Sequence, residues 1–261
     1  MIKIHVLYCG TTKVDEALPL GYKSKNKLAF TGLFRSKKHK IIVPVTAYLI
    51  EHPKGLILID TCWDTKIREH PIKYEGISNY FASPGYLPKG EGINEQLLKL
   101  GYTPKDIDYC ILTHMDIDHV GGIRLIKDAK HIMVSDAEYK ASRKCNLRYR
   151  KKLWKGIKIE TFIDSNYDLF NDGSVILFPL HGHSKGMTGI RINGNNKYVI
   201  IAGDWGYCKE SWENLSLPGI MWNKKEEINS LIELKELATN KDCLFVFMTH
   251  DRYQLKSPIT I

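Results

Sequence analysis

Short apolar runs separated by polar turns recur along most of this chain, and their lengths fit β-strands. Residues 2–9 alternate between apolar and polar side chains, and the runs at 41–51 and 55–61 flank a turn that contains proline and glycine. This pattern predicts an N-terminal strand followed by a hairpin. Further apolar runs predict strands at residues 109–112, 131–134, 157–163, 174–180, 197–203 and 243–248.

Helical spacing occurs between these runs. Residues 93–100 precede Gly101, a residue type suited to end a helix, and another helix is expected near 120–127. The segment Ser135-Asp136-Ala137-Glu138 has the form of a capping box and predicts a basic helix that runs to about residue 153. Residues 224–238 show amphipathic spacing. Two sets of strands with helices between them indicate an α/β fold with two sheets in one body.

Basic residues are concentrated in two stretches and account for much of the formal net charge of +9. Residues 11–40 are polar, basic and weakly periodic, and we predict a single domain over residues 1–261 with a basic insertion at about 11–40. A second basic run, 143–155, contains no acidic residue. Such stretches can attract phosphate or nucleic acid, but a solvated basic face is the simpler interpretation. Nucleic acid is therefore not the favoured partner.

The chain has no apolar run of 18 residues, so no transmembrane helix and no membrane partner are expected. Its N-terminus lacks the charged-then-apolar layout of a signal peptide. Six cysteines are scattered without a Cys-x-x-Cys motif, so structural disulfides and a thiolate zinc site are not expected. Together these features predict a cytoplasmic protein.

The apolar run 109–112 leads directly into a dense group of polar side chains, Thr113-His114-Met115-Asp116-Ile117-Asp118-His119. Imidazoles and carboxylates crowded at the end of a buried strand favour a bound cation, which offsets their repulsion and desolvation. The mixture of nitrogen and oxygen ligands suits zinc, iron or manganese better than calcium or magnesium. The alternative interpretation is a polar loop in which Asp118 caps a helix.

Other residues of ligand type also follow predicted strands. Asp60, His183, Asp204 and His250 each lie just beyond an apolar run. Since α/β proteins place their sites at such strand ends, we expect these side chains to converge on one edge, where they can hold two cations. His181 is an alternative to His183, which the Gly-His-Ser context favours. Asp60 is expected to support a ligand.

The order His114-x-Asp116-x-Asp118-His119, then His183, Asp204 and His250, resembles the metallo-β-lactamase superfamily over residues 43–251. Within it, the chain is most similar to the N-acyl homoserine lactonases. That similarity rests on the hairpin segments 48–50 and 58–61, the lead-in 101–107, and Asp204-Trp205-Gly206-Tyr207. The resemblance implies an αββα sandwich of two mixed sheets flanked by helices.

The resemblance also implies a ligand set for two divalent metal ions. The first ion would be held by His114, Asp116 and His183, and the second by Asp118, His119 and His250, with Asp204 bridging the two. Zinc is the metal that the family implies. Asp116 stands where the usual motif has histidine, and this extra carboxylate makes iron or manganese an alternative.

By the same resemblance the chain is a dinuclear metallohydrolase that opens a small-molecule lactone or related ester, with a quorum-quenching role. Two cations would lower the pKa of a bridging water toward ~7 and supply the attacking hydroxide. Tyr207 would contact the substrate carbonyl, and Asp118 would pass a proton to the leaving alkoxide. Three alternatives remain open at this point: a phosphodiesterase or nuclease, a glyoxalase II-like thioesterase, and a metal-stabilised binding protein without activity.

Overall fold

The computed structural model describes residues 1–144, 148–255 and 258–261. These residues form two mixed β-sheets with helices on their outer faces. The strands are β1 Lys3–Asp15, β2 Lys40–His52, β3 Gly55–Ile59, β4 Gly85–Tyr86, β5 Tyr109–Ile111, β6 His131–Ser135, β7 Glu160–Phe162, β8 Tyr167–Asp168, β9 Val175–Pro179, β10 Thr188–Asn193, β11 Tyr198–Ile201, β12 Cys243–Phe247 and β13 Ile259–Thr260.

Seven α-helices and several short 3-10 helices connect the strands in the described part of the chain. The α-helices are α1 Pro71–Glu75, α2 Ile77–Ala82, α3 Ile93–Lys99, α4 Ile117–Val120, α5 Asp136–Lys144, α6 Lys209–Glu213 and α7 Lys224–Thr239. The 3-10 helices are Gly21–Lys23, Ala29–Thr31, Lys37–His39, Thr65–Arg68, Pro104–Asp106, Gly121–Ile126 and Lys151–Leu153. None of the described helices is long and apolar enough to cross a lipid bilayer.

The first sheet has the order β13-β1-β2-β3-β5-β6-β7, with β4 paired to β1, and the second has the order β12-β11-β10-β9-β8. In the first sheet β3, β5, β6 and β7 are parallel, whereas β1, β2 and β3 are antiparallel. In the second sheet β11 and β12 are parallel, and the other pairs are antiparallel. The expectation of two mixed sheets is confirmed.

The core has three layers, and strand β3 shows why its sequence is apolar without interruption. Ile57 and Ile59 face the second sheet and pack in the central layer. Leu56 and Leu58 point to the other face, where they pack with α3 and the segment that follows β5. Both faces of the strand are covered, so every position must be apolar. The third layer lies between the second sheet and α7, and the αββα arrangement is therefore confirmed.

The basic insertion predicted at about 11–40 begins later than expected, because β1 continues to Asp15. A bulge at Gly10 shifts the register against β2, and the strand then pairs up to Asp15 opposite Lys40. Thr12 is buried and Lys13 is exposed, which is the alternation of a strand inside a basic stretch. The single-domain organisation stays a prediction.

The basic helix predicted to run to about residue 153 is shorter. Helix α5 ends at Lys144, residues 145–147 lie outside the described part, and a separate 3-10 helix covers Lys151–Leu153. The helix expected near 120–127 is also different, since α4 begins at Ile117 and is followed by a 3-10 helix. Three-residue periodicity and the intervening glycines make such a segment hard to assign from spacing alone.

Candidate metal centre

The candidate ligands come from loops that leave the two sheets at the same edge of the sandwich. Strands β3 and β5 are parallel, so Asp60 and the segment from Thr113 onward follow adjacent strand ends. In the second sheet β9 and β11 both pair antiparallel to β10, and β12 is parallel to β11. Consequently His183, Asp204 and His250 also leave on one side, and the loops of both sheets meet.

The first group of ligand-type side chains consists of His114, Asp116 and His183. Asp116 Oδ2 lies 3.3 Å from His114 Nε2 and 3.2 Å from His183 Nε2. Ligand atoms bound at about 2.0 Å to a tetrahedral zinc ion are about 3.3 Å apart, so these separations fit one ion.

The second group consists of Asp118, His119 and His250, and Asp204 lies between the two groups. Asp204 Oδ1 is 3.0 Å from His119 Nε2 and 3.1 Å from His250 Nε2. Its other oxygen, Oδ2, is 3.2 Å from His250 Nε2 and 3.8 Å from His183 Nε2. Asp118 Oδ2 is 3.5 Å from His250 Nε2. Asp204 thus lies near imidazoles of both groups, which is the position needed to bridge two ions.

Three of these atoms are buried and, despite the 3.0 Å contact between His119 and Asp204, make no well-oriented hydrogen bond in the part of the chain that the structure describes: His114 Nε2, His119 Nε2 and Asp204 Oδ1. Native proteins rarely leave buried polar atoms unpaired, and bound ions are one explanation for the exceptions. All three atoms face the same space between the groups. The residues present therefore fit a centre for divalent metal.

Hydrogen bonds fix which nitrogen of each second-group imidazole faces this space. His119 Nδ1 donates to Asp60 Oδ2 over 2.8 Å, and His250 Nδ1 donates to the Pro44 carbonyl oxygen over 2.8 Å. Carboxylate and carbonyl oxygens only accept, so Nδ1 carries the proton and Nε2 keeps its lone pair for a metal. Asp60 thus has the supporting position expected for it.

Thr113 extends this support to the first group. Its hydroxyl donates to Asp60 Oδ2 over 2.8 Å, and its oxygen can then accept from His114 Nδ1 at 3.0 Å. The Thr113 backbone N–H donates to Asp60 Oδ1 over 2.8 Å. Asp60 itself has a φ of 61°, an unfavourable value for a residue with a side chain, which these bonds hold in place.

Asp116 forms a bidentate ion pair with Arg148. The Arg148 Nε donates to Asp116 Oδ1 and its Nη2 donates to Asp116 Oδ2, each over 2.6 Å. Burial alone would raise the pKa of Asp116, but the Arg148 charge and the two neighbouring imidazoles outweigh it and hold the pKa well below its usual range. From the sequence, Asp116 was expected to add a negative charge to the centre, whereas in the structure the Arg148 guanidinium offsets that charge.

The same guanidinium also reaches the third member of the first group. Arg148 Nη1 donates to the His183 carbonyl oxygen over 2.6 Å. Burial and the nearby Arg148 charge lower the pKa of His183 to about 4, so its imidazole is neutral at neutral pH and available as a ligand. His183 Nδ1 is buried and has no partner among the described residues.

Electrostatics within the second group follow from Asp204. Burial raises its pKa, but the His250 and His119 imidazoles outweigh burial and keep the pKa well below its usual value. Conversely, burial lowers the pKa of His119, yet Asp204 and Asp60 raise it well above its usual value. Without an added cation, protons on the imidazoles balance the negative charge of the carboxylates. A bound metal ion would displace these protons.

Tyr207 packs against both groups. Its ring centroid is 5.6 Å from that of His183 and 5.5 Å from that of His250. Burial, together with the Asp204 charge, raises the pKa of Tyr207 well above its usual value, so its hydroxyl stays protonated. Its φ of 57° is unfavourable for a residue with a side chain. This backbone conformation directs the ring toward the candidate centre.

The glycines behind the ligands are required for close packing. A Cβ on Gly121 would lie 2.6 Å from the Cys62 carbonyl oxygen, and one on Gly122 would lie 2.3 Å from the Thr61 carbonyl oxygen. The backbone at Gly121 is helical, with φ of −55°, so no sharp turn is needed there. The interpretation in which Asp118 caps a helix is wrong, because α4 begins one residue after Asp116 and contains Asp118.

The structure brings together all seven side chains named as metal ligands from the sequence, and Tyr207 lies beside them. His181 is elsewhere and contacts Asp164 through a 2.9 Å bond. Arg148 was not predicted as a site residue, because it lies in the basic run 143–155 that was interpreted as a solvated face. The surplus carboxylate at Asp116 was a signal that a cation must be near, but 38 lysines and arginines were candidates.

Glu138 was also misinterpreted. Ser135 Oγ does accept from the Glu138 N–H, as a helix cap would. The Glu138 carboxylate, however, is buried and accepts from Met115 N, Ser184 Oγ and Gly186 N over 3.1, 2.8 and 3.1 Å. It therefore joins the two loops that carry the first group of ligands.

Comparisons with known proteins agree with this geometry. The model of the metallo-beta-lactamase superfamily matches residues 42–244, a region that contains every candidate ligand except His250. The N-acyl homoserine lactonase AttM of Rhizobium radiobacter is 27% identical over 215 residues, which cover 78% of this chain and 81% of that protein. An N-acyl homoserine lactonase of Bacillus cereus is 29% identical over 222 residues, which cover 82% and 84%.

A solved structure of an N-acyl homoserine lactone hydrolase, with the product N-hexanoyl-L-homoserine bound at its catalytic metal center, shares the fold. Its TM-score is 0.79 at 24% identity, with 96% of this chain and 93% of that chain covered. The superfamily model spans well over half of the chain and the folds coincide. The chain therefore belongs to the metallo-β-lactamase superfamily, as a hydrolase related to the N-acyl homoserine lactonases.

Proposed function

We propose that this protein opens lactone rings, N-acyl homoserine lactones among them, at a centre of two divalent metal ions. The observation that carries the proposal is the position of Asp204 between two ligand groups, with the Tyr207 ring against one histidine of each. The lactonases named above support the choice of substrate class.

His114, Asp116 and His183 would hold one ion, and Asp118, His119 and His250 the other, with Asp204 shared. Zinc is the favoured metal, because Arg148 offsets the charge of the carboxylate that favoured iron or manganese. When bound, the ions supply a water-derived nucleophile at neutral pH and polarise the substrate carbonyl.

Tyr207 and Asp118 would act directly on the substrate. The Tyr207 hydroxyl is protonated at neutral pH, so it can donate a hydrogen bond to the carbonyl oxygen as negative charge develops there. The Asp118 side chain is 19% exposed at the edge of the centre. A carboxylate in this position can accept the proton of the attacking water and pass it to the alkoxide that leaves when the ring opens.

The test is a substrate panel assayed with the zinc-loaded protein: N-acyl homoserine lactones of several chain lengths, a glutathione thioester and a phosphodiester. We expect the rate of lactone hydrolysis to exceed the rates of the other two reactions. Lactone hydrolysis can be measured by the release of one proton for each ring opened. Asp204→Asn should abolish it, whereas His181→Asn, which changes a histidine tied to Asp164, should not.

Each outcome discriminates among the hypotheses. Preferential thioester cleavage would replace the lactonase with a glyoxalase II-like enzyme, and preferential phosphodiester cleavage would replace it with a phosphodiesterase. Metal-loaded protein inactive on all three substrates would favour a binding protein. Lactone hydrolysis that survives Asp204→Asn would show that the chemistry does not occur at this centre.

A further inference from the structure

We propose that Arg148 is the positioning residue of the first metal site, and that the Asp116–Arg148 pair does there what a single neutral ligand would do. The proposal rests on the metal centre described above but not on the choice of substrate. Arg148 would not contact substrate. It would hold Asp116 and His183, two of the three ligands that belong to the first site alone, and leave the other site unaffected.

One guanidinium fixes two ligands through three hydrogen bonds. Both Asp116 oxygens accept from Arg148, and the His183 carbonyl accepts from its remaining amino group, all over 2.6 Å. The Arg148 side chain is only 16% exposed. With its donors directed at protein atoms in this way, the guanidinium locks the Asp116 carboxylate and the His183 loop relative to each other.

The ion pair is compatible with metal binding by the same carboxylate. Asp116 Oδ2 is 2.6 Å from Arg148 Nη2 and 3.2 Å from His183 Nε2. A carboxylate oxygen has two lone pairs, so one can accept from the guanidinium while the other faces the ligand space. A lysine could not reproduce this arrangement, because its point charge lacks the planar fork that binds both oxygens.

Charge explains why such a pair is needed. A buried carboxylate without a counter-charge is strongly disfavoured, and a neutral imidazole ligand carries no such cost. Asp116 paired with Arg148 adds no net charge to the centre. The pair therefore preserves the electrostatic balance of a neutral ligand while presenting an oxygen to the metal.

The second site is supported independently of Arg148. Its two imidazoles are oriented by Asp60 and by the Pro44 carbonyl, which belong to other loops. His183 in the first site lacks an Nδ1 partner among the described residues, while its backbone carbonyl is held by Arg148. Loss of Arg148 should therefore weaken one site of the two.

The experiment titrates zinc into metal-free protein against a competing chelator, using wild type, Arg148→Met, Arg148→Lys and the control Arg143→Met. Arg143 is exposed, and its guanidinium lies over the Tyr139 ring. We expect two tight ions in wild type and in the control. Both Arg148 variants should keep one tight ion and lose about 10- to 100-fold in affinity for the other, the usual effect of removing a ligand's support.

A rescue variant separates positioning from general damage. Asp116→His alone leaves Arg148 unpaired beside the metal and should bind the first ion poorly. Asp116→His combined with Arg148→Met supplies a neutral ligand without a stranded guanidinium, and should bind it more tightly than either single variant. The visible spectrum of the cobalt-substituted proteins reports the coordination of the first ion without any substrate.

Unchanged two-ion binding in both Arg148 variants would overturn the proposal, as would a double variant no better than Asp116→His. Tight binding of zinc at the second site confirms that a variant is folded. If Arg148→Met does not fold, Arg148→Lys and the double variant are sufficient to test the proposal. A protein that binds zinc as expected but opens no lactone refutes the proposed function and leaves this inference intact.

Discussion

At the scale of single residues, the centre depends on atoms that never face the ligand space. The Asp60 carboxylate receives His119 Nδ1, the Thr113 hydroxyl and the Thr113 N–H, and Thr113 in turn reaches His114 Nδ1. One carboxylate thus decides the orientation of an imidazole in each ligand group. Its strained backbone is held because every one of these bonds is made within a fully buried site.

Tyr207→Phe tests the residue placed against both groups. Removing the hydroxyl deletes a hydrogen-bond donor to the developing oxyanion but leaves the ring that packs on His183 and His250. We expect kcat for lactone opening to fall by about 10- to 100-fold. Metal content, measured by elemental analysis, should not change. Tyr253→Phe, at a position 89% exposed, is the matched control.

An equal fall in kcat for Tyr253→Phe, or a loss of metal in Tyr207→Phe, would mean that the Tyr207 hydroxyl does not act on the substrate.

The ligands themselves could be predicted from sequence because each follows a buried strand directly. Arg148 could not be, since its partner Asp116 is 32 positions away and ion pairing leaves no periodic trace.

At the scale of elements, helix α5 connects two loops through hydrogen bonds to one of its side chains. Its Glu138 carboxylate accepts from Met115 N, Ser184 Oγ and Gly186 N in a fully buried position. The capping-box pattern identified the start of this helix but not the destination of that side chain. Local spacing predicts a cap, but the three groups that donate to the Glu138 carboxylate lie in loops distant in sequence.

Glu138→Ala would leave three buried donors without an acceptor. We expect the free energy of unfolding to fall by about 3 kcal/mol or more, because each stranded group costs roughly 1–3 kcal/mol. Asp136→Ala, on the exposed side of the same helix and paired with Lys140, should cost less than about 1 kcal/mol. Denaturant unfolding followed by circular dichroism measures both. Equal losses would mean that the Glu138 bonds contribute little.

Helix α7 contains the opposite case, a buried carboxyl group without bonds among the described residues. Burial, reinforced by the Asp204 charge, raises the pKa of Glu227 to about 8. The unfolded chain has the ordinary carboxyl pKa of about 4.3. The folded state therefore binds this proton more tightly, and the resulting stability is present below about pH 4 and is lost as the pH rises through 8.

Glu227→Gln keeps this position neutral at every pH. We expect it to raise the free energy of unfolding by several kcal/mol at pH 9, up to about 5 kcal/mol, and by about 1 kcal/mol at pH 5. Glu236→Gln, at an exposed position on the same helix, should show no such pH-dependent gain. Thermal unfolding at the two pH values decides the matter. A gain at pH 5 as large as that at pH 9 would exclude ionisation of Glu227 as the cause.

Element boundaries were predicted unevenly for a physical reason. The β3 and β5 runs are buried on both faces, so their apolar sequences mark them clearly. The far half of β1 has a strand pattern obscured by lysines, and the capping-box helix ends well before the basic run does. Basic residues can occupy strands, helices or loops at the surface, so charge alone does not define an element.

At the scale of the whole molecule, each ligand group takes side chains from both sheets. Metal ions that bind only the folded chain stabilise it by mass action, by about 4 kcal/mol when their concentration is 1,000 times the dissociation constant. We expect a chelator to lower the Tm by roughly 10 °C, and added zinc to restore it. Scanning calorimetry with elemental analysis is the measurement. A Tm indifferent to chelation would mean that the centre is not occupied in the native protein.

The meeting of loops from both sheets also has a mechanical consequence. Two bound ions would cross-link the sheets at this edge of the sandwich. One would join His114 to His183, and the other would join His119 to His250. At the opposite edge the sheets are joined by apolar packing and by surface contacts such as the 2.6 Å ion pair between Lys54 and Asp172, which contribute little to stability. Separation of the two sheets during unfolding would then begin at that far edge. The edge that holds the metal ions would be the last part of the molecule to unfold.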